Sequence, residues 1–177
     1  MAQQVIGDAA QQFTVLDVGA ASGDTARMLQ ALYPGASVTN LDYNAVNLGN
    51  AAHPKLLGDA FALPFRPQSF DYVISCLFLH HFTDQQVVSL LRNFNAAARR
   101  GVMIADLERH VVPYCFLPAT RYLFGWERIT VHDGMISVRA AFREKELLEL
   151  ARQAEMHTPR IEVHRPAFRI TLTTRKS

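Results

Sequence analysis

Five times along this chain a short apolar run of strand length is followed by a turn and a segment of helical spacing. That alternation constrains the fold more than any other feature. Phe13-Thr14-Val15-Leu16-Asp17-Val18 has the make-up of a strand buried on both faces. Gly19-Ala20-Ala21-Ser22-Gly23 follows as a turn, and residues 24–33 read as a helix with Met28, Leu29 and Leu32 on one face. Residues 36–41 read as a second strand closed by Asp42, residues 44–52 as a helix, and residues 55–58 as a short third strand. The clearest strand is FDYVISC, residues 70–76. Thr83 and Gln86 have the spacing of a capping box, heading a helix that carries Val87, Leu90, Leu91, Phe94 and Ala98. Arg99 and Arg100 suit the C-terminus of that helix, Gly101 its end, and residues 102–107 a fifth strand.

The remainder is less regular. Residues 108–138 are rich in aromatics and proline and read as a partly helical insertion or lid. Residues 142–155 are helical again, with Leu147, Leu150, Ala151 and Ala154 in register. Only Arg165-Pro166 separates two closing strands, residues 160–164 and 167–174, so they should pair antiparallel. The expected class is α/β: a Rossmann-like doubly wound sheet of about seven strands, mostly parallel, with an antiparallel strand near the edge. One domain should span all 177 residues.

Composition narrows the partners. Hydrophobic residues make up 49% and charged residues 19%, enough for one packed core. The longest uncharged apolar run, residues 72–79, is too short to cross a bilayer. No charged-then-apolar leader opens the chain, and only twelve residues precede Phe13, so little N-terminal cover is expected. Cys76 and Cys115 lack metal-ligand spacing and read as reduced thiols of a cytoplasmic protein without a bound metal. The net charge of +2 demands no polyanionic partner. Residues 1–98 hold four basic and seven acidic side chains, and residues 139–177 hold nine and five. Such a basic flank serves either RNA or a solvated helix and edge strands; we expect the second, and no nucleic-acid partner.

Ligands of such sheets bind beyond the carboxyl ends of the strands, here near Asp17, Asp42, Asp59, Ser75 and Asp106. Gly19 and Gly23 allow a tight turn and a close backbone approach. The third position of a dinucleotide fingerprint is Asp24, however, and an acid there, with Asp17 nearby, repels a diphosphate. A ligand with an ammonium and a sulfonium suits this acidic loop better, which also disfavours a nicotinamide enzyme. Asp42, nineteen residues after Gly23, can accept both hydroxyls of a ribose. Asp59, in Gly58-Asp59-Ala60, can accept from an exocyclic adenine amine.

The ordered set Asp17-x-Gly19-x-x-x-Gly23, Asp42, Gly58-Asp59-Ala60 and Phe70-Asp71-x-Val73 resembles the class I S-adenosylmethionine-dependent methyltransferases. Leu77-Phe78-Leu79-His80-His81-Phe82, with the amphipathic helix and Arg99-Arg100-Gly101 that follow, resembles the small bacterial enzymes of small molecules among them. The resemblance covers roughly residues 13–175. It implies S-adenosylmethionine as cofactor, S-adenosylhomocysteine as product and a small-molecule acceptor. It places Asp17, Gly19, Ala20 and Gly23 at the methionine part, Asp42 and Tyr43 at the ribose, and Gly58, Asp59 and Ala60 at the adenine. Ser75 and Cys76 would pass beneath the sulfonium. Ala21 stands where the family loop usually has a glycine.

Methyl transfer to oxygen needs an in-line nucleophile and a base for its proton. His80 and His81 follow the fourth strand and Asp106 ends the fifth, so one histidine oriented by Asp106 would form a base dyad. The sequence leaves open which histidine faces the pocket. His132-Asp133 is a second candidate pair, or else a polar turn before Gly134. The aromatics of the insertion would either grip a planar, phenolic acceptor or serve as ordinary lid packing. Two alternatives remain: an RNA or protein methyltransferase using the basic C-terminal third, and a non-catalytic cofactor-binding protein. Base-methylating enzymes carry Asn/Asp-Pro-Pro-aromatic after the fourth strand, where this chain has Ser75-Cys76-Leu77-Phe78.

Overall fold

The computed structural model describes residue 6, residues 12–52 and residues 54–176. Seven strands form one sheet: β1 (Phe13–Val18), β2 (Ala36–Asp42), β3 (Lys55–Leu57), β4 (Phe70–Cys76), β5 (Ala98–Leu107), β6 (Arg160–His164) and β7 (Arg169–Arg175). Their order is β3-β2-β1-β4-β5-β7-β6. The first five run parallel, and β7 lies antiparallel to both β5 and β6. The helices are α1 (Asp24–Leu32), α2 (Ala45–Gly49), α3 (Asp84–Ala97), α4 (Val111–Phe124), α5 (Arg128–Ala140) and α6 (Glu144–Gln153), with a 3₁₀ turn at Leu79–His81.

The chain runs outward from β1 to β2 and β3, then returns across the sheet to β4 and β5. The strand order therefore reverses between β1 and β4, and that gap opens a crevice at the carboxyl edge. Alternation sends Leu16, Val18, Val73 and Ile104 to one face, where Leu90, Leu91, Phe94, Leu147 and Leu150 of α3 and α6 cover them. It sends Val15, Ile74 and Met103 to the other, against Leu29 and Tyr33. Each buried side chain of that size stabilises by about 1.5–3 kcal/mol, so the strands that carry the site are rigid.

Two sequence expectations are corrected. The α3 helix stops at Ala97, and Ala98, Arg99, Arg100 and Gly101 belong to β5, because they pair with β4 and β7. Arg99 there donates to Asp71 at 2.9 Å, and Arg100 lies over the Tyr72 ring. Helix α1 buries Ala26 and Leu29, whereas Met28 and Leu32 face solvent at 67% and 60% exposure.

The insertion is a helical hairpin. Pro113 sits in the first turn of α4, where a missing N–H leaves no bond unmade, and Gly125 at φ +68° ends the helix. Gly134 of α5 lets Leu117 of α4 approach closely. Helix α5 packs against the 3₁₀ turn, while α4 packs on α5 and buries no residue of its own.

Candidate functional site

Three loops are tied together at the carboxyl edge. Gly19 and Ala20 donate their N–H groups to the Leu41 carbonyl at 2.9 and 3.1 Å, and Ala21 donates to Asp42 Oδ2 at 2.8 Å. The Gly58 N–H reaches the Asp42 carbonyl at 3.0 Å. The turn after β1, the end of β2 and the end of β3 thus form one rim. Gly19 and Gly23 adopt φ of +72° and +75°, and a Cβ on Gly19 would run into the Phe78 ring. Ala21, in the position where a glycine is usual, takes a left-handed φ of +45°.

Asp17 ends β1 in this rim and is 1% exposed. Among the described residues neither of its oxygens has a hydrogen-bond partner. Burial, with the Asp42 charge adding to it, pushes its carboxyl up to about 7. A buried acid without a donor calls for a cation or a donor from a ligand. Asp42 is half-buried, and its Oδ1 accepts from Asn44 N–H at 2.8 Å. Tyr43 beside it is 81% exposed. Asp59 Oδ1 accepts from Phe61 N–H at 2.8 Å, while Ala60 is buried under Asn93, whose amide donates to the Ala60 and Phe61 carbonyls. Asp24 faces outward and pairs with Arg27 and Ser22.

Ser75 donates its hydroxyl to the Val18 carbonyl at 2.8 Å and so fastens β4 to β1 beside Asp17. Burial, and next the Asp17 charge, pushes the Cys76 thiol up to about 12, which removes it as a nucleophile. Beyond it Leu77 holds a left-handed φ of +52°, an uncommon backbone for a branched side chain. That bend starts the 3₁₀ turn and brings His80 back over β5.

The structure pairs one of the two histidines with Asp106. His80 Nδ1 lies 2.6 Å from Asp106 Oδ1, with both side chains buried. Asp106 also accepts the N–H groups of Leu79 at 2.9 Å, His80 at 3.3 Å and Leu107 at 2.7 Å. An acceptor so fully engaged holds the His80 proton on Nδ1 and leaves Nε2 as the basic nitrogen. His81 is exposed and its ring stacks on His80 with centroids 4.1 Å apart. Partial burial, then the neighbouring His80, lowers its pKa.

His132 and Asp133 lie 3.5 Å apart on the solvent side of α5, with side chains 74% and 68% exposed. They stand within a helix, not in a polar turn before Gly134. The aromatic wall of Phe61, Phe78 and Phe82 received no role from the sequence, yet it closes one side of the rim, with centroids 5.4 and 4.8 Å apart. Its signal was an aromatic two residues past the end of β4.

Comparisons with known proteins agree with this geometry. The methyltransferase-domain family matches residues 16–105, which run from within β1 into β5. Acetylserotonin O-methyltransferase of Mus musculus is 32% identical over 156 residues, covering 75% of this chain and 40% of the mouse protein. Demethylmenaquinone methyltransferase of Roseiflexus sp. is 32% identical over 101 residues, covering 52% of this chain and 41% of its own. The chain thus spans about 40% of the length of these curated relatives. The plantazolicin methyltransferase BpumL, solved with S-adenosylhomocysteine, shares the fold: its TM-score is 0.77 at 12% identity, over 99% of this chain and 79% of that one. With a family match over the five parallel strands and a switch-point crevice rimmed by Asp17, Asp42 and Asp59, the chain belongs to the class I S-adenosylmethionine-dependent methyltransferases.

Proposed function

We propose that this protein transfers a methyl group from S-adenosylmethionine to a hydroxyl of a small phenolic molecule. The observation that carries the reading is the buried His80–Asp106 pair at the carboxyl edge, one strand away from Asp17.

The residues suit the family's cofactor. The unpartnered Asp17 carboxylate is complementary to an ammonium and hostile to a diphosphate. Gly19, Ala20 and Gly23 present backbone without bulk, and Asp42, with Tyr43, retains acceptor capacity for two ribose hydroxyls. Gly58, Asp59 and Ala60 would hold the adenine, while Ser75 and Cys76 form the floor. Bound there, the cofactor supplies an electrophilic methyl carried on a sulfonium.

The chain's own contribution is positioning and proton removal. Asp106 fixes the His80 tautomer, so Nε2 takes the phenolic proton as the oxygen attacks. The Asp106 carboxylate and neutral His80 imidazole thereby become a carboxylate–imidazolium pair, which the three backbone N–H donors on Asp106 hold in place. The hairpin of α4 and α5 rests on the turn that carries His80 and would cover the acceptor. Among curated relatives, the mouse enzyme is named for an acceptor bearing an indole, which fits an aromatic-walled site.

The basic C-terminal third does not favour a nucleic-acid substrate. Within it Arg165 pairs with Glu108 and Arg152 with Glu149. The test is a methyl-donor consumption assay across phenols, amines and RNA. Turnover of phenols that falls in a His80→Gln variant supports the proposal; turnover of RNA or amines alone overturns it. Binding of S-adenosylhomocysteine with no turnover of any acceptor would make the chain a cofactor-binding protein.

A further inference from the structure

The outer helix of the hairpin is capped by a histidine. His110 is the N-cap of α4, and its Nδ1 accepts the Val112 N–H at 3.1 Å. Little else holds this first turn. Pro113 has no N–H to donate, and the bond from the Tyr114 N–H to the His110 carbonyl is long, at 3.4 Å. Further along, α4 buries no residue of its own and leans on α5 through Leu117 against Gly134. Helices α2 and α3 are capped by Asn44 and Thr83, whose side chains do not titrate near neutral pH. The cap of α4 is a titratable imidazole.

An imidazole accepts at Nδ1 only while that nitrogen carries no proton. Protonation puts an N–H where the acceptor was, facing the Val112 N–H, and adds a positive charge at the positive end of the helix dipole. Both effects drive the ring out of its capping position. Histidine is the side chain whose charge changes between pH 5 and 8. The charged groups around His110 carry both signs. Arg109 binds Glu146 of α6 and the Ala141 carbonyl. Across the β6–β7 turn Arg165 binds Glu108, and Arg169 binds the Ala167 carbonyl. Arg139 of α5 and Arg143 line a hollow of about 390 Å³ at the root of the hairpin with Tyr114, and Glu144 stands next to Arg143. Among the described residues none of these groups is hydrogen-bonded to the ring, which lies on Phe168 with centroids 5.0 Å apart.

We infer that His110 is a pH-sensitive latch on the hairpin: its neutral ring holds the first turn of α4, and its protonation lets that turn go. The consequence reaches the carboxyl edge. His110 stands four residues beyond Asp106, and α5, on which α4 rests, packs on the 3₁₀ turn that carries His80. Release of α4 at its root therefore loosens the hairpin over that turn in acid, and neutral pH restores it. The latch concerns the folding of the hairpin and stands whether or not the chain transfers methyl groups.

The experiment follows amide hydrogen exchange of the unaltered protein from about pH 8 to about pH 5.5, each rate divided by that of an unstructured chain at the same pH. Protection of residues 111–124 should fall at least about threefold in acid, the scale of a lost cap. Protection in α6 should not fall, because Asp17 titrates in the same window and favours the whole fold as pH drops. The midpoint of the loss should coincide with the titration of the His110 ring, read by NMR. In His110→Asn, whose side chain caps without titrating, protection of α4 should not fall in acid. In His110→Ala it should stand at the low value at both ends of the range. His132, 3.5 Å from Asp133, is the other histidine of the hairpin. A fall that persists in His110→Asn would assign the effect to His132 or another group and overturn the inference. So would wild-type protection that does not change with pH, or a midpoint that departs from that of the His110 ring.

Discussion

His80 Nδ1 and Asp106 Oδ1 stand 2.6 Å apart, and the same carboxylate receives three backbone N–H groups from the turn and strand that flank it. One side chain therefore orients the ring and holds the loop that carries it. Replacing His80 by Gln should lower kcat by about 10²–10⁴-fold, the scale of a lost general base. S-adenosylhomocysteine affinity should stay within about twofold, while His81→Gln should leave kcat within the same margin. Equal losses in the two variants would place the base elsewhere. Asp106→Asn should lower kcat and also the thermal midpoint, by about 3–10 °C, because the amide turns a donor toward backbone N–H groups. A purely structural Asp106 would lower the midpoint without altering the acidic limb of the kcat/KM pH profile, the limb on which a base is lost by protonation.

The sequence made some of this legible and hid the rest for physical reasons. Strands β1 and β4 lie in the structure where their apolar runs end, and so do the rim residues Asp17, Asp42 and Asp59, because both strands are buried on both faces and tolerate nothing else. The start of β5 was hidden because Arg99 and Arg100 sit equally well in a helical last turn; their partners Asp71 and Tyr72 lie 28 residues away in sequence and become visible only once the strands pair. Met28 and Leu32 share a helical face with Leu29 in the sequence, yet the sheet extends only far enough to cover Ala26 and Leu29. Which histidine meets Asp106 depends on a left-handed Leu77, which no propensity foretells.

Asp17 predicts an unusual dependence on pH. Its carboxyl is near 3.8 when unfolded and about 7 in the native protein. Between those values the native state holds a proton that the unfolded state has lost, so stability falls as pH rises through the window and is flat above it. Three pK units correspond to about 4 kcal/mol. Asp17→Asn removes this burden. Its thermal midpoint should exceed that of the parent at pH 8 by on the order of 10 °C, and the gap should close toward pH 4–5. A gap that does not change with pH would mean that Asp17 is ionised throughout. At pH 6, S-adenosylhomocysteine binding should release a proton from Asp17, read as an enthalpy that varies with the ionisation heat of the buffer.

Asp42 serves the loop before it serves any ligand. It accepts the Ala21 and Asn44 N–H groups, each at 2.8 Å. Asp42→Ala should therefore weaken S-adenosylhomocysteine binding by about 1–3 kcal/mol, or roughly 5–150-fold, and expose the Ala21 amide to faster hydrogen exchange. Unchanged affinity would remove Asp42 from the ribose site; lost affinity with unchanged exchange would show that it acts on the ligand alone.

Gly19 and Phe78 share one space. A methyl at Gly19 meets the Phe78 ring and also forces a side chain onto a φ of +72°. The second effect costs about 1–2 kcal/mol wherever the ring goes. The first depends on the ring, which Phe82 holds at a centroid distance of 4.8 Å. Gly19→Ala should accordingly destabilise by more than the backbone term alone, and Phe78→Leu in the same chain should restore part of the difference, giving a coupling of about 0.5–3 kcal/mol in a double-mutant cycle. The cycle also reports on the site. If Phe78 lines the cofactor's methionine end, Phe78→Leu alone should weaken S-adenosylhomocysteine binding severalfold, with a thermal midpoint that falls by only a few degrees. Additive stabilities would mean the ring moves aside freely, and an unaltered affinity would make Phe78 a wall of the acceptor side instead.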